Sequence, residues 1–386
     1  MFLFLITFLS LYGGMHVYAF FKLRDAFRSI THLSGFLISW MIIMTFVPLL
    51  VRVAEQLRME RTALVIAWPG YLWMGFLFIF TSILFFTDAV SYSYRFLIPH
   101  SSIRLPEFIS LTTSSRIALL LASVASIYAC IEAGRIRTDH VVITSPKILA
   151  SVSRIRIVQI SDLHIGLLLQ KDRLKKILEK IRETEPDILI STGDLVDGKL
   201  NREDAMSELN PLAALLASVP ASSGKFAIIG NHEVYAGLSQ SVDFSRAAGF
   251  TMLRNRSISL ANNITITGID DPAANPQAHD NPLIETALLN SVSPESFHLL
   301  LKHRPKILPE SDGRFDLQLS GHVHGGQIFP FNLLVRLVHP IPCGTTITKA
   351  GSHIHVSRGT GTWGPPMRLF VPPEITVIDI LPARNK

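Results

Sequence analysis

Apolar residues dominate the first third of the chain, whereas the remainder alternates between short apolar runs and polar loops. Four apolar stretches lie before residue 134, at residues 2–21, 34–51, 63–86 and about 109–133. Each is close to the length of roughly 20 residues that lets a helix cross a bilayer. The pattern therefore predicts an N-terminal transmembrane domain of about four helices over residues 1–133.

The first apolar stretch has no basic segment before it, which argues against a secretory signal peptide. Aromatic residues lie near several ends of the stretches, where they commonly anchor spanning helices at the bilayer surface. These residues are Tyr18, Trp68, Tyr71 and Tyr128. The alternative is that the stretches form the buried helical core of a water-soluble domain.

Four crossings would place both ends of the chain on one side of the membrane. Arg52, Arg58 and Arg61 in the second loop, with Arg135 and Arg137 after the last stretch, fall on that side. Because cytoplasmic loops carry an excess of Lys and Arg, these residues favour a cytoplasmic polar domain. The sequence thus predicts a multi-pass protein of an inner or plasma membrane.

From residue 139 onward, short runs rich in β-branched residues alternate with helical patterns. Strands are predicted at 141–144, Ile155–Ile160, 187–192, 226–229, Ile264–Ile269 and 317–319. The run 172–182 predicts an amphipathic helix, with apolar residues spaced three and four apart. We therefore expect an α/β domain over residues 151–386, joined by a linker and first strand at 134–150.

The composition of the chain limits the kinds of partner that it is expected to bind. The chain has 36 Lys or Arg and 30 Asp or Glu, a net charge of +6, and no basic run, which argues against nucleic acid as the main partner. The two cysteines, Cys130 and Cys343, are too widely separated in context to suggest a disulfide framework. A membrane is the partner that the apolar stretches predict.

Five short polar motifs lie between Asp162 and His324, each at or near the end of an apolar run. They read Asp162-Leu163-His164, Gly193-Asp194-Leu195-Val196-Asp197, Gly230-Asn231-His232-Glu233, Leu301-Lys302-His303-Arg304-Pro305 and Gly321-His322-Val323-His324. Ligands in α/β sheets gather outside the carboxyl ends of strands, so we expect the motifs to converge. Their carboxylates, imidazoles and amide can hold two divalent cations, which would clamp the oxygens of a phosphoryl displacement.

The spacing within the motifs supports this interpretation. Asp162 and His164 are alternate residues of an extended segment and can point to one side, and His322 and His324 repeat the arrangement. Asp194 is the natural bridging carboxylate, because an oxygen that contacts two cations must come from the centre of the site. Oxygen and nitrogen donors of these kinds suit Mn²⁺, Fe²⁺ or Zn²⁺.

The five motifs resemble those of the calcineurin-like metallophosphoesterase superfamily. The resemblance covers roughly residues 150–380 and continues in Gly325-Gly326-Gln327 and Ser357-Arg358-Gly359-Thr360-Gly361. It implies a four-layer α-β-β-α sandwich, here preceded by the transmembrane helices. It also implies a metal-dependent hydrolase of a phosphodiester, pyrophosphate or related phosphoester bond.

The resemblance assigns roles to nine residues. It implies that one cation is bound by Asp162, His164 and His324, the other by Asn231, His303 and His322, and that Asp194 bridges both. His232 would face the scissile phosphate as a catalytic residue, and Asp197 would orient its imidazole.

The whole chain also resembles a membrane-linked bacterial branch of the superfamily. Some members of that branch cleave UDP-2,3-diacylglucosamine to UMP and an acylated sugar phosphate in lipid A synthesis, which implies a lipid-linked phosphoester as substrate. Two alternatives stay open. One is a general phosphodiesterase or phosphatase acting on phospholipid or cell-wall polymers, and the other is a membrane scaffold without catalytic activity.

Other polar residues admit two interpretations. His353 and His355 could mimic a further ligand pair, but their alternation favours positions in a strand. Asp270-Asp271 ends a predicted strand and favours a turn or a helix cap. Arg358 and Arg368 could hold a substrate phosphate, and surface or packing positions fit them equally well.

Overall fold

The computed structural model describes residues 2–97, 111–169, 171–198, 205–275 and 282–383. The chain divides into two compact units. The helical unit contains the chain through Ile131 together with two short downstream segments, Ile328–Pro330 and Gly364–Leu369. The sheet unit, which begins at Glu132, contains the remainder. The predicted boundary at residue 133 lies near this division, whereas the two downstream segments were not predicted.

The helical unit is built from long apolar helices. They are α1 (Phe2–Ala26), α2 (Leu33–Gln56), α3 (Glu60–Leu97) and α4 (Leu111–Ala133). Within the described residues, three helical stretches are long and apolar enough to cross a membrane: Leu33–Gln56, Glu60–Tyr94 and Thr112–Ala133. The start predicted for the fourth span, near residue 109, lies outside the described residues.

Helix α1 covers the first predicted span but is not one of these three stretches. A side-chain hydrogen bond joins it to α3. Trp73 of α3 donates a 2.9 Å hydrogen bond to Nε2 of His16, whose Nδ1 lies 2.8 Å from the carbonyl oxygen of Tyr12. Such paired polar groups hold apolar helices together. Four crossings, and the sidedness that follows from them, stay predictions.

The sheet unit contains two six-stranded sheets. In spatial order the first sheet is β1 (Arg137–Ser145), β12 (Glu374–Pro382), β2 (Ile155–Ile160), β3 (Ile188–Ser191), β4 (Lys225–Ala227) and β5 (Thr251–Met252). The second is β10 (Gly344–Ile347), β11 (His353–Val356), β9 (Leu317–Ser320), β8 (Phe297–Lys302), β7 (Ile264–Ile269) and β6 (Arg256–Leu260).

The two sheets pack face to face and are covered by helices. Ile157 and Ile190 of the first sheet share an apolar cluster with Leu299 and Leu319 of the second. The outer face of the first sheet packs against α5 (Lys171–Glu183), α6 (Ala205–Ala217) and α7 (Asn231–Ala247), and that of the second against α8 (Pro282–Ser291). This arrangement confirms the predicted α-β-β-α sandwich.

Strand positions were predicted well where the pattern is local. Ile155–Ile160 and Ile264–Ile269 are strands with the predicted bounds, and the helix predicted at 172–182 lies within α5. Strand β1 is longer than its predicted core because every residue of it pairs with β12, from the far end of the chain. The segment between residues 134 and 150 is therefore mostly sheet.

The parallel strands position the functional motifs. Strands β2, β3 and β4 run parallel in the first sheet, and β7, β8 and β9 run parallel in the second. Their carboxyl ends therefore open toward a shared edge in each sheet, where polar loops can meet without entering the apolar layer.

A bidentate ion pair joins β12 to β2. Nε and Nη2 of Arg156 donate to the two carboxylate oxygens of Asp379 at 2.8 and 2.9 Å, and both side chains are largely shielded, at 16% and 17% exposure.

We predict that Asp379→Asn lowers the free energy of unfolding by about 1–3 kcal/mol, since a charge-assisted pair loses its charged acceptor. Thermal unfolding of the purified protein would measure it.

The matched control is Asp243→Asn, because Asp243 forms an exposed pair with Arg246 one helical turn away. Exposed pairs of this kind contribute about 0.5 kcal/mol or less. Equal destabilisation by the two substitutions would contradict the importance of the β12–β2 pair.

Candidate metal centre

The seven predicted metal ligands converge at the carboxyl ends of five strands. Asp162 and His164 follow β2, Asp194 follows β3, Asn231 follows β4, His303 follows β8, and His322 and His324 follow β9. All are buried except His322, which is partly exposed. Residues separated by up to 162 positions in the sequence therefore form one polar cluster, between loops of both sheets.

One group within the cluster contains Asp162, His164 and His324, whose ligand atoms lie within 4.8 Å of one another. Nε2 of His164 is 3.1 Å from Nε2 of His324, which is 3.4 Å from Oδ1 of Asp162. The backbone amides of Asp162 and His164 donate to the carbonyl oxygens of Gly193 and Asp194. These bonds join the loop after β2 to the loop after β3.

A second group contains Asp194, His303 and His322. Nε2 of His303 lies 3.1 Å from Oδ2 of Asp194 and 3.2 Å from Nδ1 of His322. Nδ1 of His303 is 2.8 Å from the carbonyl oxygen of Thr192, so it donates there and leaves Nε2 facing the cluster. A backbone acceptor of this kind fixes the tautomer of a metal-binding histidine.

Asp194 lies between the two groups. Its Oδ2, which faces His303, is also 3.9 Å from Nε2 of His164 in the first group. Its Oδ1 accepts a 2.9 Å hydrogen bond from the backbone amide of His232. One carboxylate thus reaches the ligands of both groups, as the predicted bridging role requires.

Asn231 provides a test of whether cations fit this cluster. Its Oδ1 is buried and accepts no hydrogen bond from any residue that the structure describes. An unpaired buried carbonyl oxygen is costly, and a cation would satisfy it. With two carboxylates and four imidazoles beside it, the donor set fits two divalent cations, while several metals suit such ligands equally.

Burial and neighbouring charges shift the pKa values of the histidine ligands in opposite directions. Burial lowers the pKa of His164 to about 4 and that of His322 to about 3, so both rings are neutral at pH 7 and offer lone pairs. Burial also disfavours charge on His303, but the adjacent Asp194 carboxylate outweighs it and raises the pKa of His303 to about 10. The same histidine helps to hold the pKa of Asp194 well below its usual range, against the effect of burial.

The ligand loops have an unusual backbone. Five ligands adopt positive φ angles: Asp162 (52°), His164 (51°), Asp194 (52°), His322 (74°) and His324 (49°). Residues other than glycine rarely take this left-handed conformation, and such strain concentrates at functional sites.

His232 and Asp197 form a separate pair beside the ligands. Nδ1 of His232 lies 3.0 Å from Oδ1 of Asp197, and the His232 ring meets the His164 ring edge to face at 4.7 Å. Burial disfavours the imidazolium, but the hydrogen bond to Asp197 and the charge of Asp194 raise the pKa of His232 above its usual value. Asp197 is therefore placed to orient His232, as predicted from the resemblance.

Glu233 is a functional residue to which the sequence analysis gave no role. Its buried carboxylate accepts hydrogen bonds from the backbone amides of Gly230, Asp194 and Leu195, at 2.7, 2.9 and 2.6 Å. Burial and the nearby Asp194 charge raise the pKa of Glu233 to about 7. A Cβ at Gly230 would collide with the Asp194 carboxylate, so this close approach requires glycine. The position of Glu233 in the Gly-Asn-His-Glu motif was the sequence feature that could have indicated its role.

Trp363 also belongs to the site, although the sequence analysis assigned it no contact. Its ring lies 5.6 Å from the His232 ring, and that of Tyr235 lies 5.7 Å away. The side-chain amide of Gln327 holds the Trp363 backbone by donating to its carbonyl oxygen at 2.9 Å and accepting from its amide at 3.0 Å. This contact explains the Gly325-Gly326-Gln327 motif.

The remaining polar residues lie outside the cluster. His353 and His355 are in β11, as expected, and Nε2 of His355 faces Thr376 at 3.0 Å. Asp271 caps a short turn by accepting from the amide of Ala273. Arg358 pairs with Asp139. Arg368 is fully buried in the helical unit, and its backbone amide donates to the carbonyl oxygen of Ala129.

A cavity of about 890 Å³ opens beside His303, one of the predicted metal ligands. Three ion pairs line it: Arg254 with Asp270, Lys302 with Glu285, and Arg304 with Asp271. His339 lies in a loop at its wall, with its ring 6.1 Å from that of His322. This volume is large enough for a nucleotide-sized group.

We predict that Glu233→Gln weakens metal binding about 10- to 100-fold, since loss of an outer contact has that effect on metal sites. The amide would replace one of the oxygens that hold the Asp194 loop. Metal content after dialysis against graded chelator would measure the change. Glu179→Gln on α5, which replaces an exposed carboxylate, is the matched control. Equal metal content in the two variants would exclude the anchoring role.

Comparison with known proteins gives consistent findings. The calcineurin-like phosphoesterase family model matches residues 155–326. An uncharacterised metallophosphoesterase of Aquifex aeolicus is 36% identical over 263 residues, which span 68% of this chain and 98% of that protein. A transmembrane protein with metallophosphoesterase domain from Danio rerio is 28% identical, over 68% of this chain and 61% of that protein. A solved dimetal phosphatase of Danio rerio aligns with a TM-score of 0.34 and 14% identity, over 53% of this chain and 87% of that one.

Proposed function

The chain belongs to the calcineurin-like metallophosphoesterase family and is a metal-dependent phosphoester hydrolase, and from this premise we propose that its substrate is lipid-linked. The bond hydrolysed is a phosphodiester or a pyrophosphate. One observation carries the proposal: the chain that holds the ligand cluster also holds three helical stretches able to cross a membrane, and it re-enters their unit at Ile328, four residues after His324.

The ligand cluster defines the reaction centre. When bound, two divalent cations supply charge stabilisation for the phosphoryl oxygens and a nucleophile at neutral pH. Asp194 holds the two ligand groups together, while Glu233 and Thr192 fix the orientation of Asp194 and His303. Because the loops are anchored by backbone hydrogen bonds, the ligands are preorganised for the reaction.

His232 supplies the proton. Its Nδ1–H donates to Asp197, so the protonated ring presents Nε2–H to the leaving oxygen of the substrate. Protonation of that oxygen removes the charge that develops as the ester bond breaks. Trp363 and Tyr235 pack against the ring and restrict its rotation.

The cavity beside His303 supports a bulky substrate. Three basic side chains in its wall, Arg254, Lys302 and Arg304, already pair with carboxylates, which weakens their attraction for a free anion. Such a wall suits a sugar or nucleoside whose phosphates bind at the metal centre. UDP-2,3-diacylglucosamine, with acyl chains, a pyrophosphate and a nucleoside, is the leading candidate and would place the sheet unit on the cytoplasmic face of the membrane.

We predict that His232→Ala lowers turnover by about 100-fold or more, since general acid catalysis contributes that much. Metal content should stay at the wild-type level if His232 is catalytic, although its ring nitrogen lies close enough to ligand atoms of His164 and Asp197 for these three residues to hold a cation. Parallel measurements of kcat and of bound metal would check both statements. Loss of metal in the variant would show that His232 is a ligand instead.

We further predict Mn²⁺-dependent release of UMP and acylated sugar phosphate from UDP-2,3-diacylglucosamine by the detergent-purified full-length protein, followed by mass spectrometry. Asp194→Asn should abolish this release because both ligand groups depend on that carboxylate. Hydrolysis of a simple aryl phosphodiester without UMP release would retain the hydrolase and reject this substrate. Absence of both activities with metal bound would favour a membrane scaffold.

A further inference from the structure

A short helix in the sheet unit has an exposed apolar face. Helix α9 (Phe331–Val338) has no buried residue. Its outer face comprises Phe331, Leu333, Leu334, Leu337 and Val338, all exposed, with Leu337 at 81%. Thirteen large apolar side chains are exposed in the described part of the sheet unit, and five of them belong to these eight residues.

The opposite side of α9 anchors it to the sheet unit. Val335 packs against an apolar cluster formed by Val323, Ile354 and Val356. Asn332 lies so close to Gly326 that a Cβ there would collide with its backbone. The orientation of α9 is therefore determined by packing, and its outer face points away from the core. Exposed apolar patches of this kind mark interaction sites.

The two ends of α9 have different surroundings. The preceding segment Ile328–Pro330 belongs to the helical unit, where Ile328 is buried in the same apolar cluster as Leu77 and Phe80 of α3. At the other end, His339 donates its backbone amide to Val335 at 2.7 Å, and its ring approaches the metal ligand His322. The helix is about 12 Å long at 1.5 Å per residue.

A second segment repeats this arrangement. Gly364–Leu369 also belongs to the helical unit, and exposed aromatic residues flank it on both sides. Trp363 precedes it beside His232, and Phe370 follows it. Exposed apolar side chains thus accompany both places where the sheet unit's chain enters the helical unit.

We propose that α9 is an interfacial helix whose outer face inserts into the surface of the lipid bilayer and guides acyl chains of the substrate toward the metal centre. The second half of this statement rests on the proposed lipid-linked substrate. A bilayer is the occupant that these observations favour, since α9 follows directly on a segment of the unit whose helices are long and apolar enough to cross a membrane. Phe and Leu side chains with a neighbouring basic residue, here Arg336, are typical of helices that lie in the interface.

The depth of α9 can be measured without any enzymatic activity. A nitroxide would be attached to Leu337→Cys in the full-length protein carrying Cys130→Ser and Cys343→Ser, reconstituted in phospholipid nanodiscs. Collisions with oxygen, which concentrates in lipid, should exceed those with a water-soluble nickel complex. Leu283→Cys on α8, an apolar position that is 74% exposed, is the matched control and should show the reverse.

Two results would overturn the interfacial position. One is equal nickel accessibility at positions 337 and 283. The other is dipolar broadening between labelled copies at position 337, which would mean that a second chain covers the face. Retained metal content in each labelled variant would establish that the sheet unit is intact.

The guiding role needs a second measurement. Leu334→Glu combined with Leu337→Glu should raise KM for the lipid-linked substrate in vesicles about tenfold or more, because the charged face leaves the interface. The value of kcat/KM for a soluble aryl phosphodiester should stay within about twofold of the wild type. An unchanged lipid KM would overturn the guiding role. If the wild type does not cleave the lipid-linked substrate but position 337 is embedded, the proposed substrate fails and the interfacial helix stands.

Discussion

The buried carboxylate of Asp194 is the interaction on which the rest of the site depends. It contacts ligands of both groups and accepts a hydrogen bond from the backbone amide of His232. One side chain therefore contacts the loops that follow three different strands. Burial alone would raise the pKa of this carboxyl, but the adjacent His303 holds it well below its usual range, so Asp194 stays ionised in the cluster. Divalent cations bound there would compensate the same charge.

The sandwich supplies the rigidity that this arrangement needs. Five ligands adopt left-handed backbone conformations, which persist only where neighbouring structure enforces them. Glu233 provides much of that enforcement, since its carboxylate holds three amides of the loops around Asp194 and Gly230. The apolar layer between the sheets fixes the strand ends to which these loops are attached. The packing of the layers therefore fixes the positions of the side chains at the site.

Apolar residues serve two purposes in this chain. In the sandwich they lie between layers, whereas in the helical unit and on the outer face of α9 many remain exposed. Exposure on that scale is unfavourable in water and favourable against lipid. The segments Ile328–Pro330 and Gly364–Leu369, which follow His324 and Trp363, both belong to the helical unit. The chain therefore passes between the sheet unit and the helical unit close in sequence to residues of the candidate site.

The sequence by itself determined the class of fold and predicted the residues of the candidate site. The motifs from Asp162 to His324, through their resemblance to the family, predicted seven metal ligands, and the structure brings the aspartates and histidines among them into two close groups. Local periodicity located β2, β7 and α5, since each pattern is complete within its own segment.

Only the tertiary structure decided how distant segments meet. Contacts between residues far apart in the chain produce the pairing of β1 with β12, the anchoring by Glu233 and the contact of Trp363 with His232. The exposed face of α9 depends on the packing of a whole unit. A one-dimensional pattern records what each residue can do. Which partner each polar group binds depends on the folded structure, because every buried polar group needs a hydrogen-bond partner there.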